Sequence, residues 1–505
     1  MQEPRNQTQK AKILVLVFCF IVIPLILFFL AIRPAFADNT PKHYTDLTFP
    51  PLPEVKVPEY TRFQLGNGMV VYLMEDHELP LVGGTALIRT GSRLEPAEKV
   101  GLAGIMGSVM RTGGTQSRSP DEVNEFLEQR AASIETGVGE VSGSASFNTL
   151  SENLEEVFDL FAEILRQPAF PQDKIDLAKT QARGGIARRN DDPNGIASRE
   201  FRKLIYGSDS PYARTVEYAT LDNISRDDIV GFYQQYYSPA NVLLGIIGDF
   251  NSKTMRKLIE EKFGDWKPGT KTNASLPAVT QAKTGGIFFV SQPQLSQSSV
   301  LVGHLGGLVN SPDYPALSVM NEVLNGFGGR LFNEVRSRQG LAYSVYGIWN
   351  PRYDYPGTFT AGGQTRSDAT VPFIKSILAE IERIRANPIS ETELSYAKDS
   401  VLNSFIFNFE DPSQTLSRLL RYEYFGYPSD FLFRYRRGVE ATTIADVQRV
   451  AKNYLQPEKI VTLVVGNERD ISPPLSTLSP NAEVTAIDVS IPPPRSSYYS
   501  CRQVA

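Results

Sequence analysis

The hydrophobic pattern of the chain changes period several times. Two short alternating runs, Thr61-Arg62-Phe63-Gln64-Leu65 and Met69-Val70-Val71-Tyr72-Leu73, flank Asn67-Gly68. Alternation puts every second side chain on one face of a strand, and Asn-Gly suits the left-handed backbone of a tight turn, so a β-hairpin is predicted. Ala86-Leu87-Ile88 lies in a further strand, and residues 133–148 are strand-like. Helices are predicted over about 97–111, 120–132, 151–166, 172–189 and 195–205. In the first of these, Leu102, Ile105, Met106, Val109 and Met110 recur at the core-facing spacing of a helix. The pattern lapses over 269–286, which has Lys, Thr and Pro but no period, and resumes in a second body over 287–468. The Pro-rich stretch 38–59 is predicted to be a linker, and the Ser- and Pro-rich residues 469–505 a disordered tail.

The two bodies, 60–268 and 287–468, repeat one another. Leu177-Ala178-Lys179, Asp192-Pro193 and Tyr206-Gly207 match Tyr396-Ala397-Lys398, Asp411-Pro412 and Phe425-Gly426 at a common offset of 219. Tyr236-Tyr237-Ser238-Pro239 then matches Tyr454-Leu455-Gln456-Pro457 at 218, and each is followed by a short apolar strand closing on Gly248 or Gly466. Several anchors at one offset imply an α+β protein of two homologous tandem domains, each an antiparallel sheet with helices on one face.

Composition narrows the function classes. Hydrophobic content of 41% and charged content of 21% are those of a folded protein. A net charge of −5 over 505 residues gives no basic face for nucleic acid. At the start, Arg5, Lys10 and Lys12 precede an uncharged apolar run over 13–32, and Ala35-Phe36-Ala37 has the small-x-small form of a cleavage site. Residues 1–37 are therefore read as a signal peptide or, if uncleaved, an N-terminal anchor, since twenty apolar residues span a bilayer. Both readings export the body of the protein across a membrane, into the periplasm or its equivalent. Cys19 and Cys501 are the two cysteines, so the bodies between them hold no disulfide, thiolate metal site or cysteine nucleophile.

The chemistry centres on Gly91-Ser92-Arg93-Leu94-Glu95-Pro96 followed by Gly101-Leu102-Ala103. This run resembles the pitrilysin, insulysin and mitochondrial-processing-peptidase family of zinc metallopeptidases. In that family it leads into H-x-x-E-H on a helix, where two His bind zinc and the Glu is the general base. Here those positions are Gly104, Gly107 and Ser108. The family's third ligand, a Glu eight residues before a Pro, corresponds to Gly185 ahead of Pro193. Glycine has no ligand atom, and the three histidines, His43, His77 and His304, include no pair four apart. The resemblance is therefore to a zinc-site-deficient member, with no metal or other cofactor of its own. Each histidine reads as a surface or structural residue, and Ser108 has neither a neighbouring His nor an elbow motif to make it a nucleophile.

What the second body keeps is equally specific. Arg330-Leu331-Phe332-Asn333-Glu334-Val335-Arg336, then Gly340-Leu341-Ala342-Tyr343, is similar to the family's R-L-x-x-x-V-R-x-x-x-G-L-A-Y. The resemblance implies that Arg336 and Tyr343 reach a peptidase active site, contacting substrate and the oxyanion. The residue pattern by itself also fits a solvated helix end and the start of a core strand. Gly326, Gly328 and Gly329 match a short form of the substrate-holding glycine loop of noncatalytic processing-peptidase subunits, and equally a helix C-cap and turn. Thr136 and Gly137 lie in the region that in the family supplies an edge strand for extended substrate, and also read as a bulged edge. The resemblance implies a clamshell and a homologous zinc-carrying partner subunit, with zinc only in that partner. The expected function is that of a noncatalytic, peptide-binding subunit inactive alone, with membrane contact through 13–32 if that run is retained. A stand-alone peptide-binding or assembly scaffold is the alternative.

Overall fold

A computed structural model describes Leu47 and residues 57–272, 276–326, 328–480 and 483–494. The apolar run 13–32, the Ala-Phe-Ala site, both cysteines and His43 lie outside those residues. Among the described residues, no helix is long and apolar enough to cross a membrane.

The first domain opens with the hairpin β1 (Thr61–Gln64) and β2 (Val70–Glu75), then β3 (Leu81–Ile88). Helices α1 (Leu102–Thr112) and α2 (Pro120–Gln129) precede β4 (Ser133–Val138) and β5 (Gly143–Leu150). Then come α3 (Leu154–Arg166), α4 (Gln172–Ala187), α5 (Pro193–Tyr206), α6 (Tyr218–Asp222), α7 (Arg226–Tyr236), β6 (Val242–Gly248) and α8 (Ser252–Phe263). The second domain repeats the plan: β7 (Ile287–Ser291), β8 (Gln297–Leu305), α9 (Tyr314–Leu324), a π-helical turn at Phe332–Arg338, β9 (Ser344–Asn350) and β10 (Thr358–Arg366). It continues with α10 (Thr370–Ala386), α11 (Glu391–Ser404), α12 (Pro412–Phe425), α13 (Phe431–Ala441), α14 (Ile444–Tyr454) and β11 (Val461–Gly466), and a last strand β12 (Val484–Ala486) follows.

The two six-stranded sheets have the orders β1-β2-β6-β3-β5-β4 and β12-β7-β11-β8-β10-β9. They are mixed rather than wholly antiparallel. Strand β6 runs parallel to β2, and β11 to β7, because each returns only after a long helical excursion. The runs Val-Leu-Leu-Gly-Ile-Ile-Gly in β6 and Val-Thr-Leu-Val-Val-Gly in β11 do not alternate, and both strands are almost wholly buried. Such strands are covered on both faces.

That second covering comes from the other domain and adds to the helices each domain packs on one face of its own sheet. The repeated Asp-Pro pairs are helix starts: Asp192 caps α5 and Asp411 caps α12, each with Pro at the first turn. Helix α5 belongs to the first domain but lays Ile196, Phe201, Leu204 and Ile205 on Val290, Leu301 and Leu463 of the second sheet. Helix α12 returns the arrangement, laying Leu416, Leu419, Leu420 and Tyr424 on Tyr72, Met74 and Leu243 of the first. A β-carbon on Gly245 would come within 2.7 Å of Leu420, so glycine is what lets α12 approach β6. Each domain thus finishes the other's sandwich.

The tail is also corrected. Instead of disorder throughout 469–505, β12 pairs in parallel with β7 over Val484–Ala486. Strand addition needs backbone groups more than apolar side chains, so a polar sequence hides it.

Candidate functional site

Helix α1 begins after Gly101, whose φ of 108° is left-handed. Glu95, 4% exposed, caps it, accepting from the amides of Ala103 at 2.5 Å and Gly101 at 3.1 Å. Burial pushes the Glu95 carboxyl up to about 7, against the pull of those amides. Arg93 reaches the other domain and pairs with Asp354 at 2.5 Å, its side chain 10% exposed. The retained Gly-Ser-Arg-x-Glu-Pro run therefore starts the helix and ties the two domains together.

Residues Leu102, Ile105, Met106, Val109 and Met110 of α1 are buried in the first core, while Gly104 and Ser108 face solvent. Gly107 is different, being buried under β4. A β-carbon there would lie 2.6 Å from the Val138 nitrogen and 2.8 Å from the Gly137 carbonyl carbon. Thr136 Oγ1 closes the contact by donating to the Gly107 carbonyl at 2.6 Å. The place where a general base would project is thus filled by strand backbone. Gly185 lies on α4, which packs against α1, and a β-carbon there would meet nothing within 4 Å.

These residues do not fit a zinc ion. Three of the four positions carry no donor atom, and one serine hydroxyl is a poor substitute for two imidazoles and a carboxylate. Among the described residues, no three of His, Cys, Asp and Glu are grouped to hold a metal. His304 is buried and pinned, with Nδ1 2.8 Å from the Leu305 carbonyl and Nε2 accepting from the Gln456 amide at 3.2 Å. Burial lowers its pKa, so it is a neutral structural histidine. His77 is exposed between Asp249 at 2.7 Å and Glu75 at 3.3 Å.

In the second domain, the glycine-rich stretch leaves the end of α9 through Gly326, at φ +73°, which fits the cap-and-turn reading. Gly329 lies so close to the Asn325 carbonyl that no side chain fits, and Gly328 lies against the Tyr396 ring. The π-helical turn then presents Arg336. Its guanidinium lies 4.7 Å from the centroid of the Phe332 ring and 4.5 Å from that of Tyr343. Tyr343 is 83% exposed. No hydrogen bond, ion pair or ring contact joins Arg336 or Tyr343 to α1 or α4 among the described residues. The structure thus groups Gly107 with Thr136 and Gly137, and separately Arg336 with Tyr343. The pairing of Arg93 with Asp354 and the cap made by Glu95 escaped the sequence reading, although both acidic and basic residues were visible in the motif.

This fold, with one ligand-less helix and one exposed Arg-Tyr element, defines a peptidase-like scaffold. Residues 71–209 match the family model described as insulinase (peptidase family M16), and residues 223–401 match peptidase M16 inactive domain. The chain belongs to peptidase family M16. It is 25% identical over 362 residues to a Bacillus subtilis protein named uncharacterized zinc protease YmxG, covering 71% of this chain and 86% of that one. It is 21% identical over 400 residues to the Helicobacter pylori non-peptidase homolog YmxG, covering 78% and 91%. Among solved structures, a peptidase M16 inactive domain from Pseudomonas fluorescens superposes with a TM-score of 0.73 at 24% identity, covering 81% of this chain and 98% of that one. The periplasmic protease PqqL of Escherichia coli does so at 0.70 and 17%, covering 82% of this chain and 46% of that longer one. With Gly104, Ser108 and Gly185 at the expected ligand positions and Gly107 at that of the general base, this chain is an inactive M16-type homologue.

Proposed function

We propose that the chain is the noncatalytic, peptide-binding subunit of a two-chain zinc peptidase outside the cytoplasm. A homologous partner would carry the zinc, and this chain's Arg336 and Tyr343 would complete the partner's site. The observation that carries this reading is that Arg336 is stacked on Tyr343, Tyr343 is exposed, and among the described residues neither side chain has a hydrogen bond or ion pair. A guanidinium and a phenol are hydrogen-bond donors, suited to a substrate carbonyl or to the negative charge that develops on it. Extended peptide would pair with β4, where among the described residues no side chain hydrogen-bonds the backbone of 135–138. Placement outside the cytoplasm rests on the apolar run 13–32 and the Ala-Phe-Ala site; the PqqL neighbour, described as periplasmic, agrees with it.

The test is to purify the chain, assay zinc and peptide hydrolysis, and repeat the assay after mixing with a homologue bearing intact H-x-x-E-H. Neither zinc nor cleavage is expected from the chain alone, and activity is expected from the mixture. Arg336→Ala should lower that activity about 100-fold while leaving stability within about 0.5 kcal/mol. A fully active Arg336→Ala mixture would remove the assisting role. The scaffold reading is favoured by a separate observation, the seating of β4 on Gly107, which suits binding without chemistry. A chain that captures peptide but never supports cleavage with such a homologue would establish it.

A further inference from the structure

The two sheets are sealed differently at the ends opposite β4 and β9. In the first, β1 of the hairpin pairs antiparallel with β2. Among the described residues no hairpin precedes β7, which enters directly from the linker. Its residues 287–290 are all buried, so an unfilled outer edge would be an apolar strand open to other chains. The C-terminus takes that place.

Residues 484–486 do so by pairing with β7, and residues 487–491 follow with apolar side chains at alternate positions. Ile487, Val489 and Ile491 turn inward while Asp488 and Ser490 stay exposed. Val484 packs on the second core, Ile487 and Val489 on the cluster between α5 and the second sheet, and Ile491 on the first core. The backbone is held too. The Ile487 amide donates to the Phe289 carbonyl at 2.8 Å, and Asn190 Nδ2 donates to the Val489 carbonyl at 2.7 Å. Asn190 comes from the first domain, so one short segment is gripped by both.

We propose that the outer edge of β7, together with the seam beside α5 up to Asn190, is a binding site for an extended peptide, which the chain fills with its own residues 484–491. The ligand class is a strand with apolar side chains at alternate positions and a carbonyl placed for Asn190. The site belongs to the second sheet and lies at the opposite end from the strand equivalent to β4, so it is independent of the proposed substrate edge. Its occupant in cis also clasps the domains to one another.

The experiment compares the full chain with a variant ending at Asn481, using a fluorescent peptide of residues 483–494 and anisotropy as the readout. Saturable binding to the truncated variant is expected, with binding at least about tenfold weaker to the full chain and to truncated Asn190→Ala. A peptide with the same composition but its apolar residues moved out of alternation should not bind. Equal binding to full and truncated chains, or none to a folded truncated chain, overturns the proposal. Should the truncated chain not fold, hydrogen exchange on full-length Ile491→Asp decides. At least about tenfold faster exchange at the Ile487 amide supports the clasp, and unchanged exchange overturns it.

Discussion

Strand β4 in the first sheet and β9 in the second hold the same place at the end of their sheets, and their edges are treated differently. On β9, the Asn325 side chain takes both the amide and the carbonyl of Gly347 at 3.0 Å, and Asn321 takes the Trp349 amide at 2.9 Å. Two asparagines of the preceding helix and its cap thus mimic a further strand and close the edge. On β4, Arg111 takes the Ile134 carbonyl at 3.0 Å, and among the described residues no side chain bonds the backbone of 135–138, although Gly107 of α1 packs against it at 137–138. The exposed chemistry is divided the other way, since the second domain keeps Arg336 and Tyr343 while the first shows Gly104, Ser108 and Gly185. In the function proposed above, one scaffold, used twice, would offer a pairing edge from one copy and hydrogen-bond donors from the other.

The strongest way to break this comparison is to attack the helix that joins the copies. Leu420 is fully buried on the first sheet although its helix belongs to the second domain. Leu420→Ala should cost about 2–5 kcal/mol in denaturant unfolding, with both domains lost in one transition. Separate transitions would mean that the copies are energetically independent.

Next comes Glu95, which has no counterpart in the comparison and bears on how α1 is held. Its carboxyl is raised from 4.5 to about 7, chiefly by burial. A folded-state value above the unfolded one means that its stabilisation is fully present below pH about 4.5 and lost as pH rises toward 7, a change of up to about 2–3 kcal/mol. Glu95→Gln should flatten stability against pH across that window. An NMR titration placing Glu95 at an ordinary carboxylate value would contradict the mechanism.

A smaller effect separates the two defects of α1. In Gly104→His/Ser108→His/Gly185→Glu the new side chains enter open or solvent-facing space, so the fold should tolerate them. Adding Gly107→Glu drives a side chain into the β4 backbone and should cost a further 1–3 kcal/mol or so. Thermal unfolding of the triple and quadruple variants measures the step, and equal stability would show that β4 yields freely. The smallest change expected is Asn325→Ala, about 1–2 kcal/mol, which strips the Gly347 edge of its partner. Faster amide exchange at Gly347 would accompany it, whereas no change there would mean that the edge is not closed by Asn325.

How much of this was legible in the sequence depends on whether a feature is local. The hairpin at Asn67-Gly68, the stripe on α1 and the absent ligands are written in neighbouring residues, and the structure places each side chain of that stripe in the core. The repeat anchors Asp192-Pro193 and Asp411-Pro412 were visible as matching dipeptides, but caps say where a helix starts and not what it covers. The exchange of α5 and α12 is set by long-range apolar fit, which no window of sequence contains. The pairing of Arg93 with Asp354 fails to show for the same reason, its partners lying in different domains. Strand β12 was missed because its contribution is mostly backbone pairing, and the residues after it, spaced by Asp488 and Ser490, look like a solvated tail.

The crossing helices bear on how such a protein can be divided. A cut in the linker 269–286 would separate the two sequence repeats and remove from each sheet the helix that shields its second face. Each fragment would then carry a bare apolar sheet, together with an amphipathic helix whose proper surface sits on the other fragment. Expressed apart, the halves would aggregate rather than act as two small modules, and expressed together they should find each other and reassemble. The gene's obvious seam is therefore not a seam of the folded protein.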